Sequence, residues 1–291
     1  MIHGWVIVDK PEGISSAHVV AKIKRLFKVK KAGHGGTLDP LATGVLPIAL
    51  GEATKTLSYV LDGKKSYRFK VQWGEARSTE DREGEITKTS SKRPTLEEII
   101  EILPSFIGHI EQVPPIYSAL KVEGKRAYAL ARQGEEVSLK PREVKIESLS
   151  LVIASLNSAI FEVVCSKGTY VRSLARDLAL GLGTCGHITA LRRLIAGPFH
   201  ESNAILLDSL LKIGHNTELI NYVLPLQDAL ADILALEIQG DEAVKLRQGQ
   251  AISSFHEKTE DVALVLCKGI PQALAKVGMG RITPLRVFNI E

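Results

Sequence analysis

Apolar residues along this chain recur at two periods. Val19, Val20, Ile23, Leu26 and Phe27 are spaced as on one face of a helix. Lys22, Lys24, Arg25 and Lys28 then fall on the opposite face, and Ser15 or Ser16 is placed to cap the start. Tyr67, Phe69, Val71 and Trp73 alternate with Arg68, Lys70 and Gln72, which predicts a strand with one buried face. Residues 159–165 alternate in the same way and end at Lys167-Gly168. Residues 4–9 and 45–50 read as further strands, the second one buried. Helices are expected over residues 52–61, over 95–103 behind Pro94, and from a Thr169 cap through Arg172, Leu174, Asp177, Leu178 and Leu182 to Gly183.

Strands and helices mix here without a regular strand–helix–strand alternation. That order predicts an α+β fold on a mixed, largely antiparallel sheet. Two segments stand apart from it. Residues 114–141 are rich in Lys, Arg, Gly and Glu and interrupt the order of elements. Residues 236–291 hold short apolar runs such as 262–266, with Gly278-Met279-Gly280-Arg281 ahead of Leu285-Arg286-Val287-Phe288, and predict a small β-rich module. Residues 200–235 read as a helical link. The expected division is therefore 1–235 and 236–291. A chain of 291 residues buries enough surface to need no covalent staple.

Composition narrows the class. The three cysteines, Cys165, Cys185 and Cys267, are scattered and lack metal-ligand spacing, so neither a disulfide framework nor a metal site is expected. Residues 1–5 have no basic stretch leading into an apolar run, and no apolar segment has the length of a membrane span, so a cytoplasmic protein is expected. The net charge is only +4, but residues 22–31 carry six basic side chains and no acid, where 37 in 291 would give between one and two. Lys30 and Lys31 continue that run toward the next loop. Such runs usually face solvent. The missing acids favour a phosphate-contacting patch with salt-sensitive, sequence-independent affinity.

That next loop is Gly33-His34-Gly35-Gly36-Thr37-Leu38-Asp39-Pro40-Leu41-Ala42-Thr43-Gly44-Val45-Leu46-Pro47. It offers one carboxylate, Asp39, between glycines that admit positive φ or close approach and a proline that moves the preceding residue toward extended backbone. Asp39 is therefore expected in one conformation, as a reacting group requires. The plain alternative is an Asp-Pro turn that only redirects the chain.

The loop resembles the signature of the TruB-type tRNA pseudouridine synthases. The similarity extends to Val8-Asp9-Lys10-Pro11-Glu12-Gly13-Ile14-Ser15-Ser16, Gly51-Glu52-Ala53-Thr54-Lys55, Tyr117-Ser118-Ala119-Leu120-Lys121, Cys165-Ser166-Lys167-Gly168-Thr169-Tyr170-Val171-Arg172 and Leu191-Arg192-Arg193, in the family's order. The resemblance implies a pseudouridine-synthase-like sheet flanked by helices, an RNA-clamping insertion at 114–141, and a PUA-like RNA-binding domain at the C-terminus. It implies isomerisation of the uridine at position 55 in the T-loop of tRNA, with base flipping, by an enzyme needing neither metal nor cofactor. The implied partner is the T-arm stem-loop, with no membrane, no obligatory protein partner and a monomer as the default.

By the same resemblance Asp39 breaks and re-forms the glycosidic linkage; whether it attacks the sugar or the base, or stabilises a glycal, stays open. Arg172 is the guanidinium expected to keep that carboxylate ionised, in the first turn of a helix whose N-terminus favours an anion. Tyr67 matches the aromatic that stacks on the flipped base and removes its proton, although its strand face makes a core role equally natural. Tyr170 is expected to line the pocket, His34 to occupy the space the nucleotide vacates, Leu191 to be an apolar wall or plain core, and Lys10 to be a polar RNA contact. Lys22, Lys24, Arg25, Lys28, Lys30, Lys31 and Lys121 complete the expected RNA-binding set. One departure is Arg77, which stands where the family's segment after the tyrosine strand has a threonine, although Thr79, Asp81 and Gly84 fit. A non-catalytic tRNA-binding or folding factor and a guide-RNA-dependent subunit are the competing readings. The intact Asp39, Tyr67 and Arg172 set argues against the first, and the 114–141 insertion with the compact N-terminus against the second.

Overall fold

Gly4–Lys10 is a strand, and it pairs antiparallel with Thr43–Leu50 in unbroken register from Gly4 opposite Leu50 to Lys10 opposite Gly44. The computed structural model describes every residue except 119, 123, 128, 129, 131, 132, 134–137, 255, 257 and 291, and all side chains but those and 121, 122, 125 and 126. By internal contacts the chain forms two compact units. One comprises Met1–Pro40, Gly44–Asp62 and Ala196–Glu291; the other comprises Leu41–Thr43 and Gly63–Ile195.

In the first unit, Ala32–His34 also pairs antiparallel with Thr43–Leu50, and Ile205–Leu206 runs parallel beside Val8 and Asp9. The basic helix is Ser16–Leu26. Ser15 caps it by accepting from the His18 amide, Val19, Ile23 and Leu26 are buried, and Lys24 and Arg25 face solvent. Lys28 follows in left-handed backbone at φ 51°, and the Lys28 and Val29 amides close the helix end on the carbonyls of Arg25 and Lys24.

The single helix expected over 52–61 is instead a 3₁₀ segment, Gly51–Thr56, running into a short α-helix, Leu57–Asp62. The Thr54 and Thr56 hydroxyls donate to the carbonyls of Gly51 and Ala53 at 2.7 and 2.9 Å, and such local bonds compete with the α-helical ladder. Residues 200–235 form short helical pieces, including Leu207–Ile213 and the 3₁₀ segments Thr217–Tyr222 and Leu226–Leu230.

The tail forms a five-stranded sheet in the order Ala235–Glu237, Glu260–Cys267, Ile270–Gly278, Arg281–Val287, Ile252–Ser253. Its apolar run has a simple cause, since consecutive residues point to opposite faces and both faces are buried. Leu264 and Leu274 join Trp5, Ile7, Val45, Val60, Phe199 and Phe288 in one core. Ala263, Val265, Ala275 and Val277 join Ala243, Leu246 and Ile282 in another. Lys55 Nζ donates to the Val287 carbonyl at 2.7 Å, and Glu52 accepts from the Asn289 amide at 2.8 Å.

The second unit is built on the strand order Gly186–Ala196, Lys65–Trp73, Ser158–Cys165, Arg142–Ser155, Gly108–Gln112. The pairs from Lys65–Trp73 onward are antiparallel. Phe69, Val71 and Trp73 are fully buried; Phe69 stacks on Phe161 with centroids 5.4 Å apart, and Trp73 meets the same ring edge-on. On the opposite face Arg68 pairs with Glu162. Leu96–Ile102 is a helix with a Thr95–Glu98 capping box. The helix carrying Arg172 is Val171–Gly181, and Thr169 is not its cap. The Thr169 hydroxyl turns back to the Ser166 carbonyl at 3.0 Å, closing the turn around Gly168, and Tyr170 becomes the N-cap without a side-chain bond to the first turn.

Gly35 is required for a close approach rather than for a positive φ. A Cβ there would lie 2.6 Å from Val60 Cγ1, in a valine that is fully buried. Gly35→Ala should lower stability by about 1–3 kcal/mol through overpacking. Val60→Ala in the same chain should return part of that loss, read from urea unfolding midpoints of the two single variants and the double.

Candidate active site

Asp39 is half-buried, and the backbone on both sides of it is tied to the start of the chain. Ser16 is buried at the first position of the basic helix; its hydroxyl donates to the Leu38 carbonyl and accepts from the Leu38 amide, both at 2.8 Å. On the other side the Pro40 carbonyl accepts from the Gly13 amide at 2.8 Å and from Lys10 Nζ at 3.2 Å. Gly36 supplies the positive φ, 122°, that turns the chain ahead of this segment.

Lys10 is therefore not the RNA contact expected of it. It is fully buried, and its ammonium also donates to the carbonyls of Pro11 and Ile14 at 2.9 and 2.7 Å. An ammonium taken out of water is tolerated only when its donors are satisfied, and here three carbonyls take them. Its work is to hold the 11–14 turn and the Asp39 loop together. His34 is half-buried at the end of Ala32–His34, opposite Ile48. Of the basic set, Lys24, Arg25, Lys28, Lys30 and Lys31 are exposed and Lys22 is half-buried, as a phosphate-facing surface requires.

The second unit carries Tyr67, Tyr170, Arg172 and Leu191. Tyr67 starts the buried row of its strand yet is only half-buried, whereas Phe69, Val71 and Trp73 are at most 1% exposed. Its side chain is therefore less enclosed than the three that follow it on the same face. Leu191 is 8% exposed on Gly186–Ala196, and its carbonyl accepts from the Thr43 hydroxyl. Tyr170 is half-buried, and its amide donates to Gln112 Oε1 at 2.8 Å. The Lys121 side chain lies outside the described residues.

Arg172 is 5% exposed and bridges two backbone segments. Its Nη1 donates to the Thr79 carbonyl and its Nη2 to the Tyr117 carbonyl, each at 2.9 Å, with Asp81 Oδ2 at 3.9 Å from Nε. Asp81 is itself buried and accepts from the Thr79 hydroxyl at 2.5 Å and the Glu83 amide at 3.0 Å. Between them Glu80 sits in left-handed backbone at φ 61°, unusual for a residue with a side chain. Burial pushes its carboxyl upward, and Arg176 draws it back. Arg77, the departure from the family pattern, spans the same turn: Nη1 donates to the Gly84 carbonyl at 3.0 Å and Nη2 to Glu75 at 2.8 Å. The turn thus stays closed with arginine in the threonine's place.

Sequence reading missed Ser16 and Lys10 as loop anchors, and Glu80 and Arg176 altogether. A signal existed for Arg176, which stands four residues after Arg172 and so shares its helix face. Glu80 left none, because a positive φ at a glutamate has no pattern in sequence.

The chain matches the model of the TruB family pseudouridylate synthase N-terminal domain over residues 24–171, and that of the tRNA pseudouridylate synthase B C-terminal domain over 172–231. A protein of Bradyrhizobium diazoefficiens named tRNA pseudouridine synthase B is 51% identical, the alignment covering 99% of this chain and 86% of the relative. One of the same name from Rhodospirillum rubrum is 50% identical over 99% and 97%. Among solved structures, an H/ACA RNP bound to a substrate RNA containing 2'-deoxyuridine superposes with a TM-score of 0.74 at 24% identity, covering 99% of this chain and 85% of that one, a likeness of fold. With half of its length under one family model and near-complete relatives at about half identity, this chain belongs to the TruB family of pseudouridylate synthases.

Proposed function

We propose that this chain isomerises uridine to pseudouridine in the T-loop of tRNA, at position 55, with Asp39 as the reacting carboxylate. The observation that carries the reading is the pinned loop. A carboxylate whose two neighbours are held through four hydrogen bonds to Ser16, Gly13 and Lys10 is pre-positioned for attack on a nucleoside or for stabilising its cleaved sugar. Arg172 acts in this scheme as the oriented guanidinium that the anionic chemistry calls on. Tyr67 stacks on the extruded base and takes the ring-carbon proton, Tyr170 and Leu191 line its pocket, and His34 fills the space it leaves. The exposed lysines and arginine of residues 22–31 bind phosphates of the T-arm.

Extruding a base costs a few kcal/mol, and stacking on an aromatic ring returns about 1–3 kcal/mol per base. The half-exposed Tyr67 ring supports that role. The tail sheet is proposed as the PUA-like RNA-binding part, residues 236–291, and residues 114–141 as an RNA clamp. Among the described residues no helix is long and apolar enough to cross a membrane, which supports action on tRNA in the cytoplasm. A monomer working without a protein partner is part of the same reading.

The test is tritium release from 5-tritiated uridine in an isolated T-arm stem-loop, with no other protein present. Wild-type release supports the reading; release only with a guide RNA or a second protein overturns it. Asp39→Asn should lose more than about a thousand-fold in turnover, as removal of a reacting group does, with RNA affinity little changed. Arg172→Lys should lose roughly 100-fold, because one ammonium cannot span both the Thr79 and Tyr117 carbonyls as the planar fork does. Tyr67→Phe keeps the stacking ring and removes the proton acceptor, so single-turnover rate should fall about 100-fold or more while KM holds.

A further inference from the structure

The helix Val171–Gly181 carries two arginines four residues apart, and each links the 79–80 turn to the 113–117 segment, Arg172 through two carbonyls and Arg176 through the Glu80 side chain and one carbonyl. Arg172 joins the Thr79 carbonyl to the Tyr117 carbonyl. One turn farther, Arg176 Nη1 donates to the Glu80 carboxylate, and Nη2 donates to the Val113 carbonyl at 2.9 Å. Its Nε rests on Asp177 at 2.8 Å. The two guanidinium groups form parallel rungs between the 79–80 turn and the 113–117 segment.

The turn is held hard at its other end. Glu80 also accepts from the Ser173 hydroxyl at 3.1 Å, and its carbonyl accepts from the Ile188 amide at 3.0 Å. Holding a glutamate in left-handed backbone costs about 1–2 kcal/mol. Such outliers persist where the surroundings over-determine them, and they cluster at functional sites. The Arg176–Glu80 pair is largely enclosed, at 25% and 15% side-chain exposure, so removing one partner alone strands the other's charge.

We propose that Arg176 is a positioning residue for Arg172: by fixing the 79–80 turn against the 113–117 segment, it sets the separation across which the Arg172 fork reaches both carbonyls. The inference rests on the proposed role of Arg172 in the isomerisation, and it deepens that role. Loss of the outer rung lets the two segments drift, and the inner guanidinium loses its aim rather than its charge. The defect then lies in the chemical step and not in RNA affinity.

Two variants test this. Arg176→Leu removes both outer bonds but leaves the Glu80 carboxylate buried without its cation; Arg176→Leu combined with Glu80→Gln removes that charge too, so folding is preserved. Three quantities are measured for each: the melting temperature, the single-turnover rate and KM on the T-arm stem-loop, and the ¹⁵N–¹H resonance of Arg172 Nε–Hε. In the double variant the melting temperature should return toward wild type. Its rate should stay roughly 10- to 100-fold low, the scale of a small misplacement of a reacting group, with KM within about twofold. The Arg172 Nε–Hε resonance should shift or broaden in both variants. A rate that recovers with the melting temperature would show a merely structural residue. A raised KM alone would make Arg176 an RNA contact, and an unchanged Arg172 resonance would remove the coupling. Each of these overturns the proposal. Should wild-type protein release no tritium, the proposed function fails while the resonance still decides the coupling.

Discussion

One buried ammonium organises the first unit. Lys10 has no exposure to water, so its charge is bearable only while its partners surround it, three carbonyls among them. Those carbonyls come from Pro11, Ile14 and Pro40, which the sequence separates by about thirty residues. The desolvation penalty therefore acts as a constraint, because any movement of the Asp39 loop away from the 11–14 turn strands part of the ammonium. Ser16 adds a second constraint, with one hydroxyl serving the amide and the carbonyl of Leu38 together. The Asp39 loop is in this way held from both sides despite the glycines around it.

The second unit uses the same device with the sign reversed in emphasis. There Arg172 is one of the buried cations, and its hydrogen bonds include two to main-chain carbonyls, with the buried Asp81 carboxylate at longer range. Those two carbonyls fix the plane of the guanidinium, and so the direction in which its fork reaches.

Much of this architecture was legible in the residues. Alternation at 67–73 gave a strand whose Phe69, Val71 and Trp73 are buried, and the helical spacing from Val19 to Leu26 gave the basic helix with Ser15 as its cap. Both patterns report burial directly, which is why they read well. What failed were positions decided by hydrogen bonds across long separations. Lys10 reads as a polar contact near the loop in an RNA-binding set, and nothing near it in sequence announces that the contact is a buried one to the Pro40 carbonyl. Thr169 reads as a cap because threonine caps well, yet its hydroxyl had a nearer acceptor at Ser166. The 52–61 helix was interrupted by threonines whose hydroxyls found carbonyls three residues back. The signature loop, with its glycines and Asp-Pro, pointed to a carboxylate presented in one conformation without revealing which side chains tie its neighbours down.

A uridine isomerase must satisfy two demands that pull against each other. It has to bind a polyanion strongly enough to offset the extrusion of a base, and it has to leave the reacting carboxylate unperturbed by the cations that do the binding. The chain separates them by exposure. The lysines of residues 22–31 stay at the surface, where water and salt screen their fields within about 10 Å at 0.1 M ionic strength. Lys10 and Arg172 are among the cations drawn inside, and each is tied to backbone carbonyls that fix its position. On the proposed reading, surface charge contributes affinity that depends on salt and ignores sequence, whereas the buried cations contribute orientation that salt cannot reach. On that division, raising ionic strength weakens capture of the RNA and leaves the chemical step on bound RNA untouched.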